Sequence, residues 1–172
     1  MGILPGGNAN NAIKMRKEKL IGRLKNLYLL ELSCAFLLPF AFLLKCNVRD
    51  EPVGLNSIAA MGLSGVLLLQ GSYLWFKISR QLSINASDSL KSTFKKLKLI
   101  NIILITATVI LIWIYPFKGN WDKYGTIGFL SLAILEHINY FEFQLMYDNK
   151  NDLNYLKRFR RLKKAKLKGL LT

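Results

Sequence analysis

Four apolar stretches run along this chain, separated by charged segments: Leu27 to Leu44, Ser57 to Phe76, Leu99 to Phe117 and Thr126 to Tyr147. Each comes within a few residues of the roughly 20 that a helix needs to cross about 30 Å of hydrocarbon. A buried helix of a soluble domain mixes a polar face into its apolar one at helical spacing, but here apolar and charged residues fall in separate blocks. The pattern predicts an all-α fold, an integral membrane four-helix bundle with spans at about 27–44, 57–76, 99–117 and 126–147. The connections Lys45 to Asn56 and Lys118 to Gly125 are short, so consecutive helices are expected to be antiparallel neighbours, up-down-up-down. The connection from Lys77 to Lys98 is longer and predicts helical extensions, with Ser87, Asp88 and Ser89 as N-cap candidates.

Within the spans, small residues recur on the second: Ala60 with Ser64, Met61 with Gly65, then Gly71 and Ser72. Small side chains let helix backbones approach in lipid, which predicts a central place for this helix. Pro39 is expected to bend the first span.

Charge then orients the pattern. The 172 residues carry 25 Lys and Arg against 10 Asp and Glu, a net charge of +15. Lys and Arg number 6 in the N-terminal segment 1–26, then 2, 6 and 2 in the three connections and 9 in the tail 148–172. Basic residues are retained on the cytoplasmic side, so both termini and the middle connection are predicted inside, N-in and C-in. Trp75, Trp113 and Trp121, with Tyr115 and Tyr124, all fall at the predicted boundaries of lipid and water, where aromatic residues concentrate.

Several sequence patterns lose their usual meaning in this setting. The basic N-terminal region is long, the first apolar run exceeds a signal-peptide core, and no small-residue cleavage site follows, so the first span is expected to be retained. Lys45 before Cys46 breaks a lipoprotein box, and Gly6 stands where N-myristoylation wants Ser or Thr. Cys34 and Cys46 lie about 18 Å apart along one helix and cannot pair. Asn85-Ala86-Ser87 matches a glycosylation sequon but falls on the predicted cytoplasmic side. The outer connections offer no candidate chemistry.

The fourth stretch, TIGFLSLAILEHINYFEFQLMY, is the chemically unusual one. At 100° per residue, Glu136, His137, Asn139, Tyr140, Gln144 and Tyr147 would occupy an arc of about 160°, with Glu142 flanking Asn139. Such an arc is expected to face the bundle interior, because ionisable groups near a bilayer centre cost at least a few kcal/mol each against lipid. Glu31 on the first span, Gln70 on the second and Asn101 on the third enter the same inner half, so a polar cluster across four helices is geometrically open. Three readings compete: a proton or small-ligand path using the acids and His137, a metal site, or polar groups that bond across helices and set their register. The metal site is the weakest, since Glu136 and His137 diverge on the helix and His137 is the only histidine. No catalytic constellation is present, and no cofactor or metal is expected.

Past Tyr147, Asn151 or Asp152 can cap a basic amphipathic helix. Leu153, Leu156, Phe159, Leu162, Leu167 and Leu170 would share one half of it, with Lys157, Arg158, Arg161, Lys164 and Lys168 crowding the other. A basic helix beside a span suits the anionic inner leaflet, at about 1 kcal/mol per basic group near the surface. The tether to lipid disfavours nucleic acid as partner, and Lys14 to Lys25 repeats the basic composition at the other terminus. The partners expected are membrane lipids of the anionic inner leaflet, with a membrane protein or a second copy of the chain also open.

The segment EHINYFEFQLMYDN, Glu136 to Asn149, resembles a motif of small bacterial four-span proteins, some labelled general stress proteins. The resemblance covers this segment and the overall plan, and it implies a bacterial plasma membrane. It brings no activity and no catalytic residues. Sequence therefore predicts a non-enzymatic structural or regulatory membrane protein that binds lipid or a membrane partner, or alternatively a small proton- or ligand-coupled transporter or membrane enzyme.

Overall fold

Nothing in the basic stretch before Leu27 breaks a helix, and the first helix accordingly begins well ahead of the apolar run. In the computed structural model, which describes residues 6–84, 89–145, 150–163 and 165, α1 extends over Gly6–Val48 and continues past Pro39. It ends in a turn where the Glu51 N–H donates to the Cys46 carbonyl at 3.0 Å. Asp50 there takes the left-handed conformation (φ 51°), which a short polar side chain tolerates, and Pro52 prevents the helix from resuming.

The remaining helices are α2 (Leu55–Ile84), α3 (Ser89–Ile114), α4 (Asn120–Phe141) and α5 (Lys150–Phe159), and no strand element occurs among the described residues. Most of the connection between the second and third apolar stretches is thus helical, as its length predicts; Asn85, Ser87 and Asp88 lie outside the described residues. α3 stops just before Tyr115, whose successor Pro116 disfavours helical geometry at the preceding residue.

Three helices are long and apolar enough to cross a membrane, within Lys17–Val48, Leu55–Arg80 and Ser92–Ile114. α4 is not among them, because Glu136, His137 and Asn139 dilute an otherwise apolar helix. Half of the α2 apolar window is buried, against 11% for α1 and for α3. α2 therefore occupies the centre, as its small residues predict: Ala60, Ser64, Gly71 and Ser72 are all buried. α1 and α3 turn side chains such as Phe36, Ile103 and Trp113 outward, a surface suited to lipid.

Side-chain contacts set the helix directions. The Ser72 hydroxyl donates to the Tyr28 carbonyl at 2.9 Å while Gly65 faces the Ala35 carbonyl, so α1 and α2 run antiparallel. Asp122 meets the start of α2, and the Tyr140 ring meets Trp75 toward its end, so α2 and α4 run parallel. α3 opposes α4, with the Phe94 and Phe141 rings 6.5 Å apart. One apolar cluster, Leu24, Leu74, Trp75, Phe94, Tyr140 and Phe141, joins α1, α2, α3 and α4 near the end that carries the α2–α3 connection.

Two predicted helix ends are corrected. The fourth stretch leaves the helix at Phe141 rather than at Tyr147, because the Asn139 side chain accepts the Leu145 N–H at 2.9 Å and turns the chain. The exit is then pinned by the tail: Gln144 N–H donates to the Lys163 carbonyl and Ala165 N–H to the Glu142 carbonyl, at 2.8 and 3.1 Å. The basic tail helix is also shorter than its amphipathic pattern predicts. α5 closes at Phe159, Arg160 takes a left-handed φ of 48°, and Leu162 lies past the helix; Leu167 and Leu170 fall outside the described residues.

Candidate functional site

The polar residues predicted within the apolar helices divide between two neighbourhoods and a helix cap. In the first, Glu31 of α1 is buried and accepts the Trp75 indole N–H at 2.8 Å across the α1–α2 interface. Tyr140 of α4 enters the same space, 1% exposed, its hydroxyl close to the carboxyls of Glu31 and Glu136. Gly71 admits it: a β-carbon there would overlap both the Tyr140 hydroxyl and Glu31 Oε2. Glu136 and Tyr140, one helical turn apart, share the face of α4 that looks toward α1 and α2.

Hydrogen bonding in this neighbourhood is shared. Trp75 serves Oε1 of Glu31, and the Tyr140 hydroxyl, close to both carboxyls, has a single proton to donate to Glu31 or Glu136. Elsewhere in the helices, both polar atoms of the Asn101 side chain and Oε1 of Gln70 are buried without a hydrogen-bond partner among the described residues. Asn101 is fully buried, and its register on α3 lies between Phe94, which meets Phe141, and Ile105, which meets the Leu67 and Ala133 cluster. Such groups are rare in native interiors, and each calls for a physical explanation.

His137 belongs to the second neighbourhood. It points away from Glu31, its ring 5.1 Å from that of Phe141 and its surroundings shared with Lys98 and Glu142. Lys98 of α3 and Glu142 form an ion pair in which both side chains are about one-third exposed. Adjacent residues diverge by about 100° on a helix, which is why Glu136 and His137 serve different neighbours. Among the described residues no three His, Cys, Asp or Glu side chains are grouped to hold a metal ion.

Three further expectations resolve differently. Asn139 is a helix-ending cap through its bond to Leu145 N–H. Gln144 and Glu142 lie beyond α4, so the predicted single helical arc does not exist past Phe141; Gln144 is nonetheless buried, beneath the returning tail. Of the basic set, Lys157, Arg158 and Arg161 are exposed, while Lys164 and Lys168 lie outside the described residues. The Arg158 and Arg161 guanidinium groups sit 5.5 and 5.8 Å from the Phe159 ring centroid.

The opposite end of the helices holds a feature the sequence reading missed. Asp122, in the first turn of α4, accepts backbone N–H groups from Gly54 at 3.1 Å, Ser57 at 3.2 Å and Lys118 at 2.9 Å. Gly54 must lack a side chain, because a β-carbon would overlap the carboxylate. Burial pushes this carboxyl upward, but the bonds from Lys118, Ser57 and Gly54 outweigh that effect and hold it below its ordinary value. Asn56 donates to the Tyr115 carbonyl at 2.9 Å, and Lys45 and Arg49 lie 4.8 and 5.0 Å from the Trp121 ring centroid. Connections that read as plain linkers form the most fully bonded polar region described. The available signal is Asp122 in a helix's first turn, a position that favours capping.

No family model, curated protein or solved structure matches this chain, so its chemistry has to be read from its own residues.

Proposed function

We propose that the chain crosses a bacterial plasma membrane four times through α1 to α4, with both termini and the α2–α3 connection in the cytoplasm. In this reading it is a structural or regulatory protein without enzymatic chemistry, binding anionic phospholipid of the inner leaflet or a membrane protein partner. The resemblance of Glu136–Asn149 to small bacterial four-span proteins agrees with it. α4 crosses from about Thr126 to Phe141, its polar face turned inward and its apolar remainder outward. Asp122 then lies in the turn at the outer boundary.

The observation that carries the reading is the fixed position of the basic tail. Backbone bonds from Gln144 to Lys163 and from Ala165 to Glu142 hold the tail against the α4 exit, which sets exposed Lys157, Arg158 and Arg161 at the same end as Lys25, Arg80 and Lys98. Cations gathered at one level beside apolar helices match an anionic leaflet. The test is extraction into native-lipid particles followed by mass spectrometry. Retained anionic phospholipid or a stoichiometric partner is expected; particles that hold neither defeat the reading. A reporter active only outside the cytoplasm, fused to the C-terminus, is expected to be silent, and activity there reverses the orientation.

A second reading is favoured by the two buried acids, Glu31 and Glu136, that share the Tyr140 hydroxyl: a proton- or small-ligand-coupled transporter or membrane enzyme using the intramembrane acids and His137. Replacing Glu31, Glu136 and Glu142 by glutamine, and His137 by asparagine, one at a time, decides it. A folded protein with unchanged phenotype in all four removes this reading.

A further inference from the structure

The unassigned cavity with the clearest chemistry lies between α1 and α2, at the level where their apolar runs give way to basic residues. It encloses about 410 Å³ and is lined by Ile21, Lys25, Tyr28, Phe76, Ser79 and Arg80. We propose that this groove binds one anionic phospholipid, its phosphodiester between Lys25 and Arg80 and the start of an acyl chain against Tyr28 and Phe76. The inference rests on the membrane reading above but assigns lipid to a discrete site rather than to a diffuse basic surface.

Two cations contributed by different helices line the groove, with no acid among the lining residues. Arg80 is oriented by stacking, its guanidinium 5.1 Å from the Phe76 ring centroid. Phe76 is held in turn by an edge-on contact with Tyr28, at 5.7 Å and 72°. The groove is thus polar at one end and aromatic at the other, and the order of residues sets the direction. On α1 the apolar run begins at Leu27, just beyond Lys25, and on α2 it ends at Phe76, just before Arg80. The cations sit at headgroup level, and the rings lie one turn deeper.

This polarity selects the occupant. A soluble phosphate would use the cations alone and gain nothing from Phe76, which is 40% exposed. A phospholipid uses both ends. The guanidinium suits a phosphodiester because its planar donors pair with two oxygens at once, while the lysine adds a compact charge.

Native mass spectrometry of the full chain, equilibrated with an equimolar mixture of phosphatidylglycerol and phosphatidylcholine, tests the site. The unaltered chain is expected to retain one phosphatidylglycerol with roughly 30-fold preference, the value for two cations near the surface. Lys25→Gln with Arg80→Gln is expected to abolish that preference, whereas Lys25→Arg with Arg80→Lys keeps most of it and shows that charge, not damage to the groove, is responsible. The triple change Lys157→Gln, Arg158→Gln, Arg161→Gln is expected to leave the single retained lipid in place. Preference that survives the glutamine pair, vanishes in the charge-preserving pair or disappears only with the tail changes overturns the groove while leaving lipid binding intact. Absence of retained phosphatidylglycerol from the unaltered chain overturns the groove and the broader lipid reading together.

Discussion

Asp122 and Glu31 are both buried carboxyls, yet they are served in opposite ways. Asp122 receives three backbone N–H groups, from Gly54, Ser57 and Lys118, while Glu31 has one indole N–H and a share of the single Tyr140 hydroxyl proton. The difference follows from position along a helix. At a helix start and in a connection, backbone N–H groups have no partner within the helix and are free to serve a carboxylate. In mid-helix every backbone N–H is already committed, so Glu31 and Glu136 depend on the few side chains that can reach them. The end that holds Asp122 is therefore a completed lock, and the layer around Glu31 rests on side-chain donors alone.

The most direct way to break this contrast is Asp122→Ala, which leaves the buried N–H groups of Gly54 and Ser57 and the half-buried one of Lys118 facing an empty site. Each bond to a charged acceptor contributes about 1.5 to 3 kcal/mol, so a loss of at least ~3 kcal/mol is expected, read as a fall in the thermal midpoint of the purified protein. Acid titration sharpens the point. The folded carboxyl lies below its ordinary value, so its contribution is complete above about pH 4 and is lost as pH falls through that lowered value. Asp122→Asn is expected to flatten this acid limb, and an unchanged limb would mean that another group carries it.

Gly71→Val attacks the inner layer by volume. The added carbons would occupy the position of the Tyr140 hydroxyl and Glu31 Oε2, and overpacking of this kind costs about 1 to 3 kcal/mol. A lower thermal midpoint together with altered Trp75 fluorescence is expected, since Trp75 bonds to Glu31. A variant as stable as the parent would show that the layer opens without cost.

How much of this was legible in sequence depended on range. Long apolar blocks announce helices through composition alone, and the small residues of α2 announced its central place. The end of α4 was hidden because Asn139 captures the N–H of Leu145 and the tail returns to pair with Gln144, contacts that no helical period records. Glu31, Glu136 and Tyr140 stood out as polar groups among apolar ones. Gly71 and Trp75 were noticed for other reasons, as a small contact residue and a boundary aromatic, and their joint role needs three helices in place. Asp122 escaped notice because a charge in a connection is ordinary until its partners on a distant helix are seen.

Trp75→Phe measures the inner layer more finely, since it removes the indole donor to Glu31 and keeps an aromatic ring, with a small cavity term added. A single buried bond to a carboxyl contributes about 1.5 to 3 kcal/mol when its acceptor is charged and nearer 1 when neutral. A loss near the lower figure is expected, and adding Glu31→Leu, which removes the acceptor, to Trp75→Phe should give less than the sum of the two single changes, because the pair shares one bond. Strict additivity would mean that the contact does not contribute.

The smallest effect is expected where the inner layer meets water. Lys98 and Glu142 pair across α3 and the α4 exit, but with both side chains about one-third exposed the attraction is screened, and exposed pairs contribute about 0.2 to 1 kcal/mol. Lys98→Gln should shift the thermal midpoint slightly and lose even that effect at high salt, because screening has already weakened the pair. A salt-insensitive loss above this range would mean that Lys98 is held within the buried polar network with His137, its neighbour on the same side of α4.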